Sequence, residues 1–470
     1  MRAFRPTCGL LLALWASASA GALTVTEVRV TAKGHAPPLQ CERTAKPTPR
    51  PIAPDPDPTE VPSIGMLKDE GLEPVTPRKE PRVREPTPLG RAKAGEPFRV
   101  AVWADSHLAT GAFTDELMKL LGLPEERVST TLIPASMNRP GVRLPLRKSC
   151  VGAQWRYEPG HVSARSTRAI GPGLVNLFTE KPGASLAWDF RGAANTPRWQ
   201  TIRILYEQTE APLKVTISVD GERSREVLLA GPPGPATLAL QGSNALSTVR
   251  LSLVSGKLRL LGLALPEDPS AAAQLELFAF PGATIGAWEQ ADNEYLAAWY
   301  QDRRYDLVML AYGTNEGNVQ PFDPARYEAT LRRAVERLRA RFPDSACVLV
   351  GPPDRGVLVR RSQKGKRGSS PAKGTAAAAS TGLLRFSRVH AEISALQQQV
   401  AAEHGCTAWS MMEAMGGAGS AYHWAHATPP LMAQDLLHLT PNGYRELARR
   451  FAADLGWEPS LLGFTAPHGT

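Results

Sequence analysis

The sequence predicts an α/β protein, a parallel sheet with helices on both faces, interrupted by an inserted all-β domain of sandwich type. Two observations predict it. From about Phe98 to Leu455, short apolar runs of strand length alternate with helix-length segments, and that order implies a parallel, doubly wound sheet with right-handed crossovers. Over residues 138–266 the pattern changes to period two, as in "LKVTISVDG", where Leu213, Val215, Ile217 and Val219 face one way and Asp220-Gly221 makes a turn. A chain of 470 residues has room for both parts, since domains typically hold about 100–200 residues.

Residues 1–20 carry Arg2 and Arg5, an apolar stretch from Leu10 to Trp15, and small residues ending in Ala18-Ser19-Ala20. This reads as a secretory signal cleaved after Ala20, so the protein is expected in the periplasm or outside the cell. The apolar stretch is about half of the roughly 20 residues that span a bilayer, and no later run is longer, so no transmembrane segment is expected after cleavage. Residues 21–97, dense in proline and charge ("KPTPRPIAPDPDPTEVP"), are expected to form a disordered linker, with folded structure starting at Phe98.

Residues 98–137 and 267–470 then form the discontinuous α/β domain. "FRVAVWA" is a strand, and "TDELMKLLGL" has helical spacing at Leu117, Leu120 and Leu121. Residues 138–266 are the β-rich insert. After it come the strands "LELFAF", "YDLVMLAY", "ACVLVGPP" and "CTAWSMM", separated by helices. In one helix Asp323 caps, Pro324 opens the first turn, and Tyr327, Leu331, Val335, Leu338 and Phe342 share a face. The last begins at Thr440-Pro441 and stops near Gly456. Residues 355–381, basic and low in complexity, read as a mobile loop.

Composition excludes several classes. The net charge of +9 suits acidic surroundings such as cell-wall polymers, but no basic folded module suggests a nucleic-acid partner. Neither C-x-x-C nor H-E-x-x-H occurs, so neither a metal nor another cofactor is expected. Cys41, Cys150, Cys347 and Cys406 remain after signal cleavage; an exported chain can pair them in three ways. Cys347 and Cys406 begin consecutive strands, for which a disulfide and two free thiols are both open.

In open α/β sheets, sites form beyond the carboxyl ends of the strands. Three polar segments lie there: "ADSH" after "FRVAVW", "PGAT" after "LELFAF", and "GTNEGN" after "DLVMLAY". A fourth, "QDLLHLTPNGY", precedes the last helix. A serine hydroxyl needs a base, and that base needs a third group to orient it. Ser106 is the candidate nucleophile. His107 is a poor base because adjacent side chains on a turn diverge; His438, three residues after Asp435, is better. The oxyanion needs preplaced donors, for which the N–H groups of Gly282 and Ser106 and the Asn315 amide are candidates. His107 and Trp424 are candidate substrate neighbours; His423 and His426 make only one pair of potential metal ligands, and Glu316 is expected to be a solvated carboxylate.

These four segments, in this order, resemble the SGNH (GDSL) hydrolases, named for a serine, a glycine, an asparagine and a histidine. The family's first block usually reads G-D-S, and Ala104 takes the glycine's place here. The resemblance implies a flavodoxin-like sheet, Ser106 as nucleophile, Asp435 and His438 as its partners, and Ser106, Gly282 and Asn315 in the oxyanion hole. The "DSH" form, the β-rich insert, "YGTNE" and "MGGAGS…HW…DLLHLT" further resemble bacterial peptidoglycan O-acetylesterases. That resemblance implies a carbohydrate-binding-like insert and an acetylated polysaccharide, foremost peptidoglycan, as substrate. Alternatives are an acetylxylan or other carbohydrate esterase, an O-acetyltransferase, and a glycan-binding protein without turnover.

Overall fold

The computed structural model describes residues 23–41, 59–69, 71–72, 89–162, 169–192, 195–360 and 382–463. The signal reading at residues 1–20 and most of the basic loop, residues 361–381, lie outside the described residues.

The α/β part is a six-stranded parallel sheet in the spatial order Thr407–Ser410, Ala346–Gly351, Leu307–Ala311, Phe98–Ala104, Ala273–Ala279, Val128–Ser129. Successive side chains of a strand point to opposite faces, and the central strand shows why this one must be covered twice. Val100, Val102 and Ala104 join one core with Phe113, Leu117, Tyr444, Leu447 and Phe451 from helices Ala112–Leu120 and Pro441–Leu455. Ala101 and Trp103 join the other with Trp288, Tyr327, Leu331, Val335, Leu338 and Ile393. The helix termini follow the sequence: Asp323 accepts from Arg326 N–H, Thr440 accepts from Gly443 N–H, and Gly456 closes the last helix at φ +71°. Among the described residues no helix is long and apolar enough to cross a membrane.

The β-rich part is two sheets. One orders Thr24–Val30, Gly234–Gly242, Thr201–Gln208, Leu258–Ala264, Val175–Thr179 and Arg156–Pro159, with Leu132–Pro134 also on Leu258–Ala264. The other orders Arg225–Leu229, Leu213–Val219, Thr248–Ser255, Ser185–Asp189 and Lys148–Val151. Leu213, Val215, Ile217 and Val219 are all buried in the core between them, with Trp188 and Tyr206. Asp220 and Gly221 both have positive φ, +52° and +78°, the backbone that a tight hairpin turn requires.

Four boundary expectations need correction. Residues 21–97 are not linker throughout: Thr24–Val30 pairs in parallel with Gly234–Gly242, and Cys41 is disulfide-bonded to Cys150. Asp220 fastens the same segment by accepting the N–H groups of Lys33 and Gly34. Alternating residues such as Val28, which is buried, belong to a strand whose partner lies some two hundred positions away, a contact that local proline content cannot reveal. Folded structure also precedes Phe98, because Leu89 and Ala92 are buried and Ala92 N–H donates to Leu461 O.

The β-rich unit likewise starts before residue 138, at Leu132–Pro134. Residues 355–360 of the basic stretch are not a loose loop, since Val359–Arg360 pairs with Thr59–Glu60. A second disulfide joins Cys347, in strand Ala346–Gly351, to Cys406, which immediately precedes the neighbouring strand Thr407–Ser410.

Candidate active site

By order along the chain, the second and third strands of the parallel sheet, Val128–Ser129 and Ala273–Ala279, lie on one side of the first, and the fourth to sixth on the other. The order reverses between the first strand, Phe98–Ala104, and the fourth, Leu307–Ala311. Such a switch point opens a crevice at the carboxyl ends. Register makes the rim level: Ala104 pairs with both Ala279 and Ala311, so the segments carrying Ser106, Gly282 and Asn315 leave the sheet at one height. Asp105 N–H donates to Ala311 O at 3.2 Å and Phe280 N–H to Ala104 O at 3.0 Å, extending the ladder into the loops.

His438 arrives from the other end of the chain. Asp435 Oδ1 accepts the N–H groups of Leu437 and His438 at 3.0 and 2.9 Å, and Leu436 takes a positive φ of +53°. This turn folds the carboxylate back so that Asp435 Oδ2 accepts from His438 Nδ1 at 2.8 Å. The uncommon backbone of Leu436, unfavourable for a residue with a Cβ, is held because its side chain is fully buried. Nε2 of the same ring lies 3.2 Å from Ser106 Oγ, across 332 residues of sequence. With Nδ1–H donated to Asp435, Nε2 is the acceptor of the hydroxyl proton.

Electrostatics suit a base. The hydrogen bond to Asp435 raises the His438 pKa above its usual value, against partial burial. Half-burial works to raise the Asp435 pKa, but bonds from the His438 ring and from the N–H groups of His438 and Leu437 prevail and hold the carboxyl below the ordinary range.

The opposite side of the site is braced by two carboxylates, Asp105, which is buried, and Glu316, which is partly buried. Asn315 Nδ2 donates to Ala283 O at 2.8 Å, and Asp105 Oδ2 stands 3.5 Å from the same nitrogen, too long for a strong bond. Among the described residues, the N–H groups of Ser106 and Gly282 donate to no protein acceptor, which leaves them available as oxyanion donors. Gly282 has φ +89°, while a Cβ on it would meet nothing within 4 Å; the backbone conformation, not space, asks for glycine there.

Glu316 is partly buried, and its carboxylate is taken up by backbone N–H groups instead of water. Its Oε1 accepts Ile285 N–H at 2.8 Å and its Oε2 accepts Gly313 N–H at 3.1 Å, so one carboxylate ties the Gly282 loop to the Asn315 loop. Burial pushes the pKa of Glu316 and of Asp105 up to about 7. Sequence reasoning missed this role because the signal, a carboxylate beside Asn315, is also the signature of a solvated helix start.

Two other expectations are corrected. His107 is buried and not a substrate neighbour: its Nδ1 lies 3.2 Å from Tyr444 Oη and its ring packs 5.5 Å from that of His438. Burial, then the His438 charge, lowers its pKa to about 3, so it stays neutral. Trp424 is only 6% exposed, donates its Nε1–H to Met415 O and lies under Arg450, so it offers no ring face to a sugar. His426 Nε2 is spent on Pro62 O at 2.7 Å, and no cluster that fits a metal ion occurs among the described residues.

A nucleophile, an oriented base and converging N–H donors on the rim of a doubly wound sheet define a serine acyl hydrolase. Residues 256–446 match the GDSL-like Lipase/Acylhydrolase family, and the site has the make-up of an SGNH-type carboxylic ester hydrolase. Among solved structures, it is similar to a peptidoglycan O-acetylesterase, with 21% identity over 77% of this chain and 91% of that one and a TM-score of 0.54. That likeness is one of fold. Matches to a lipase/acylhydrolase from Enterococcus faecalis (16% identity, 39% of this chain and 75% of that one, TM-score 0.26) and to a family two carbohydrate esterase from Cellvibrio japonicus (13%, 66% and 98%, 0.23) are weaker. No curated protein matches the chain.

Proposed function

We propose that the protein is an exported serine esterase that removes O-acetyl groups from a cell-wall polysaccharide, foremost peptidoglycan. The observation that carries the reaction is the continuous line Ser106 Oγ, His438 Nε2, His438 Nδ1, Asp435 Oδ2 at 3.2 and 2.8 Å. Its surface position supports a polymeric substrate: Asp435 is exposed and His438 half-exposed, so a chain too large to enter a cavity can still present an ester. The two-sheet β unit supports the same reading, as an added surface for holding glycan beside the rim.

Ser106 Oγ attacks the acetyl carbonyl while His438 Nε2 takes its proton, and Asp435 stabilises the imidazolium that forms. The tetrahedral oxygen is received by the N–H groups of Ser106 and Gly282 and by the Asn315 amide. His438 returns the proton to the sugar oxygen, the C–O bond breaks, and an acetyl-Ser106 ester remains. Water, activated by His438, hydrolyses it and releases acetate.

The test is acetate release from O-acetylated peptidoglycan by Ser106→Ala, which is expected to fall by about 10⁴-fold or more. Turnover unchanged in that variant would overturn the assignment. Running O-acetylated xylan alongside ranks the substrates, and acetate appearing only when an acceptor glycan is supplied would indicate transfer instead of hydrolysis.

A further inference from the structure

Beside the His438 loop stands a pair of arginines that the mechanism above does not use. Arg355 lies just beyond the carboxyl end of strand Ala346–Gly351, and the next residue, Gly356, donates its N–H to Leu436 O at 3.0 Å. A Cβ on Gly356 would stand 2.9 Å from Leu436 Cδ1, so this segment packs directly on the turn that carries Asp435 and His438. On its other side the Arg355 guanidinium donates to Asn318 Oδ1, in the short helix Glu316–Asn318 that follows Asn315. Arg355 thus links the base loop to the oxyanion loop along the rim. Its charge is felt at His438, His107 and Asp435.

The guanidinium lies 3.8 Å from the centre of the Phe386 ring, and that of Arg385 lies 4.6 Å from the same centre. Two cations on one ring repel each other. Several other buried or half-buried arginines are paired with carboxylates: Arg191 with Asp189, Arg259 with Glu158, Arg304 with Asp306. Among the described residues, Arg355 and Arg385 form no ion pair. Asp435, whose charge also reaches Arg355, is engaged by His438. Stacking holds a guanidinium in one plane, so less freedom is lost when its fork meets a carboxylate, and partial burial strengthens the attraction.

We propose that Arg355 and Arg385 form a carboxylate-binding subsite on the rim of the active site, which selects acetyl esters carried by an anionic glycan over those on a neutral one. This rests on the esterase reading for its consequence in turnover, but not for binding. An acidic group next to the acetylated sugar is drawn to the rim, and the ester is presented to Ser106 from a fixed direction.

The probes are O-acetylated glycan strands of peptidoglycan freed of peptide, with their lactyl carboxylates either free or capped as methylamides. Wild type is expected to favour the free form by about tenfold in kcat/KM, as befits one or two charge-assisted contacts at a partly exposed site, and to lose that preference at high salt. Arg355→Gln combined with Arg385→Gln should bring the ratio close to one, and Arg385→Glu should reverse it. Arg385 is exposed, so its variants test the subsite even where replacing Arg355 disturbs the rim.

The same ratio is measured as affinity in the Ser106→Ala background. An identical free-to-capped ratio in wild type and in the arginine variants, in both measurements, overturns the subsite. Acetate release that survives Ser106→Ala overturns the esterase reading instead, while the affinity ratio still decides on the arginines.

Discussion

The two sides of the active site are built on opposite plans. The Asp435–His438 side is a short surface turn, held by bonds among residues within three positions of one another and exposed to water. The oxyanion side is partly buried, and its parts come from three strand ends: Asp105 holds its own loop through His107 N–H, and Glu316 joins the other two by accepting Ile285 and Gly313 N–H. The first side must lose and regain a proton, and water and a strong partner keep its charge changes cheap. The second must hold its donors still while charge appears in front of them, and low-dielectric surroundings with fixed dipoles do that. Local bonding thus suffices for the acid–base half, whereas the electrostatic half needs the fold.

Substitutions separate these plans. The largest effect is expected from Asp435→Asn, which removes the partner that fixes the His438 tautomer: kcat should fall by about 10⁴-fold. The bond to Asp435 is also the leading cause of the raised His438 pKa. Its loss disfavours the imidazolium, so an NMR titration of the ring should show the pKa falling; a ring that titrates as in wild type would mean that Asp435 does not act through it.

Next comes Asn315→Ala. Removing one oxyanion donor should lower kcat by about 10²-fold with KM little changed, and an effect confined to KM would place Asn315 in binding alone. The smallest effect belongs to Glu316→Gln, whose amide can accept only one of the two N–H groups and turns a donor toward the other. A buried unpaired N–H costs about 1–3 kcal/mol, and a shift of the loops it joins should lower kcat by about tenfold. Labelling of Ser106 by an organophosphonate, whose adduct uses the same donors, should slow in proportion. If Glu316 were only a structural residue, melting temperature would drop while kcat and labelling held.

Much of the α/β part was legible because its signals are local. Period, caps and strand length placed the parallel strands, and Leu213 to Val219 alternated as expected. Asp435 and His438 could be paired from their three-residue spacing, since a turn of that length brings both side chains together whatever surrounds it. What spacing could not supply was the company each residue keeps across the chain. His107, adjacent to Ser106, reads as a turn residue but is buried against Tyr444, more than three hundred positions away. Trp424 reads as an exposed aromatic in a glycine-rich stretch, yet it fills a core.

The sequence by itself therefore determined the alternation of elements, the residue types at the strand ends and the Asp435–His438 turn, all set by forces acting within a few residues. Tertiary structure alone decided the rest. It added Thr24–Val30 to a sheet whose other members start a hundred residues later, and it chose both disulfides from three possible pairings. It also turned Glu316 from a surface carboxylate into the strut between two loops. Each of these depends on which backbone groups are left without water and must find partners at long range, a balance that exists only once the strands have been brought together.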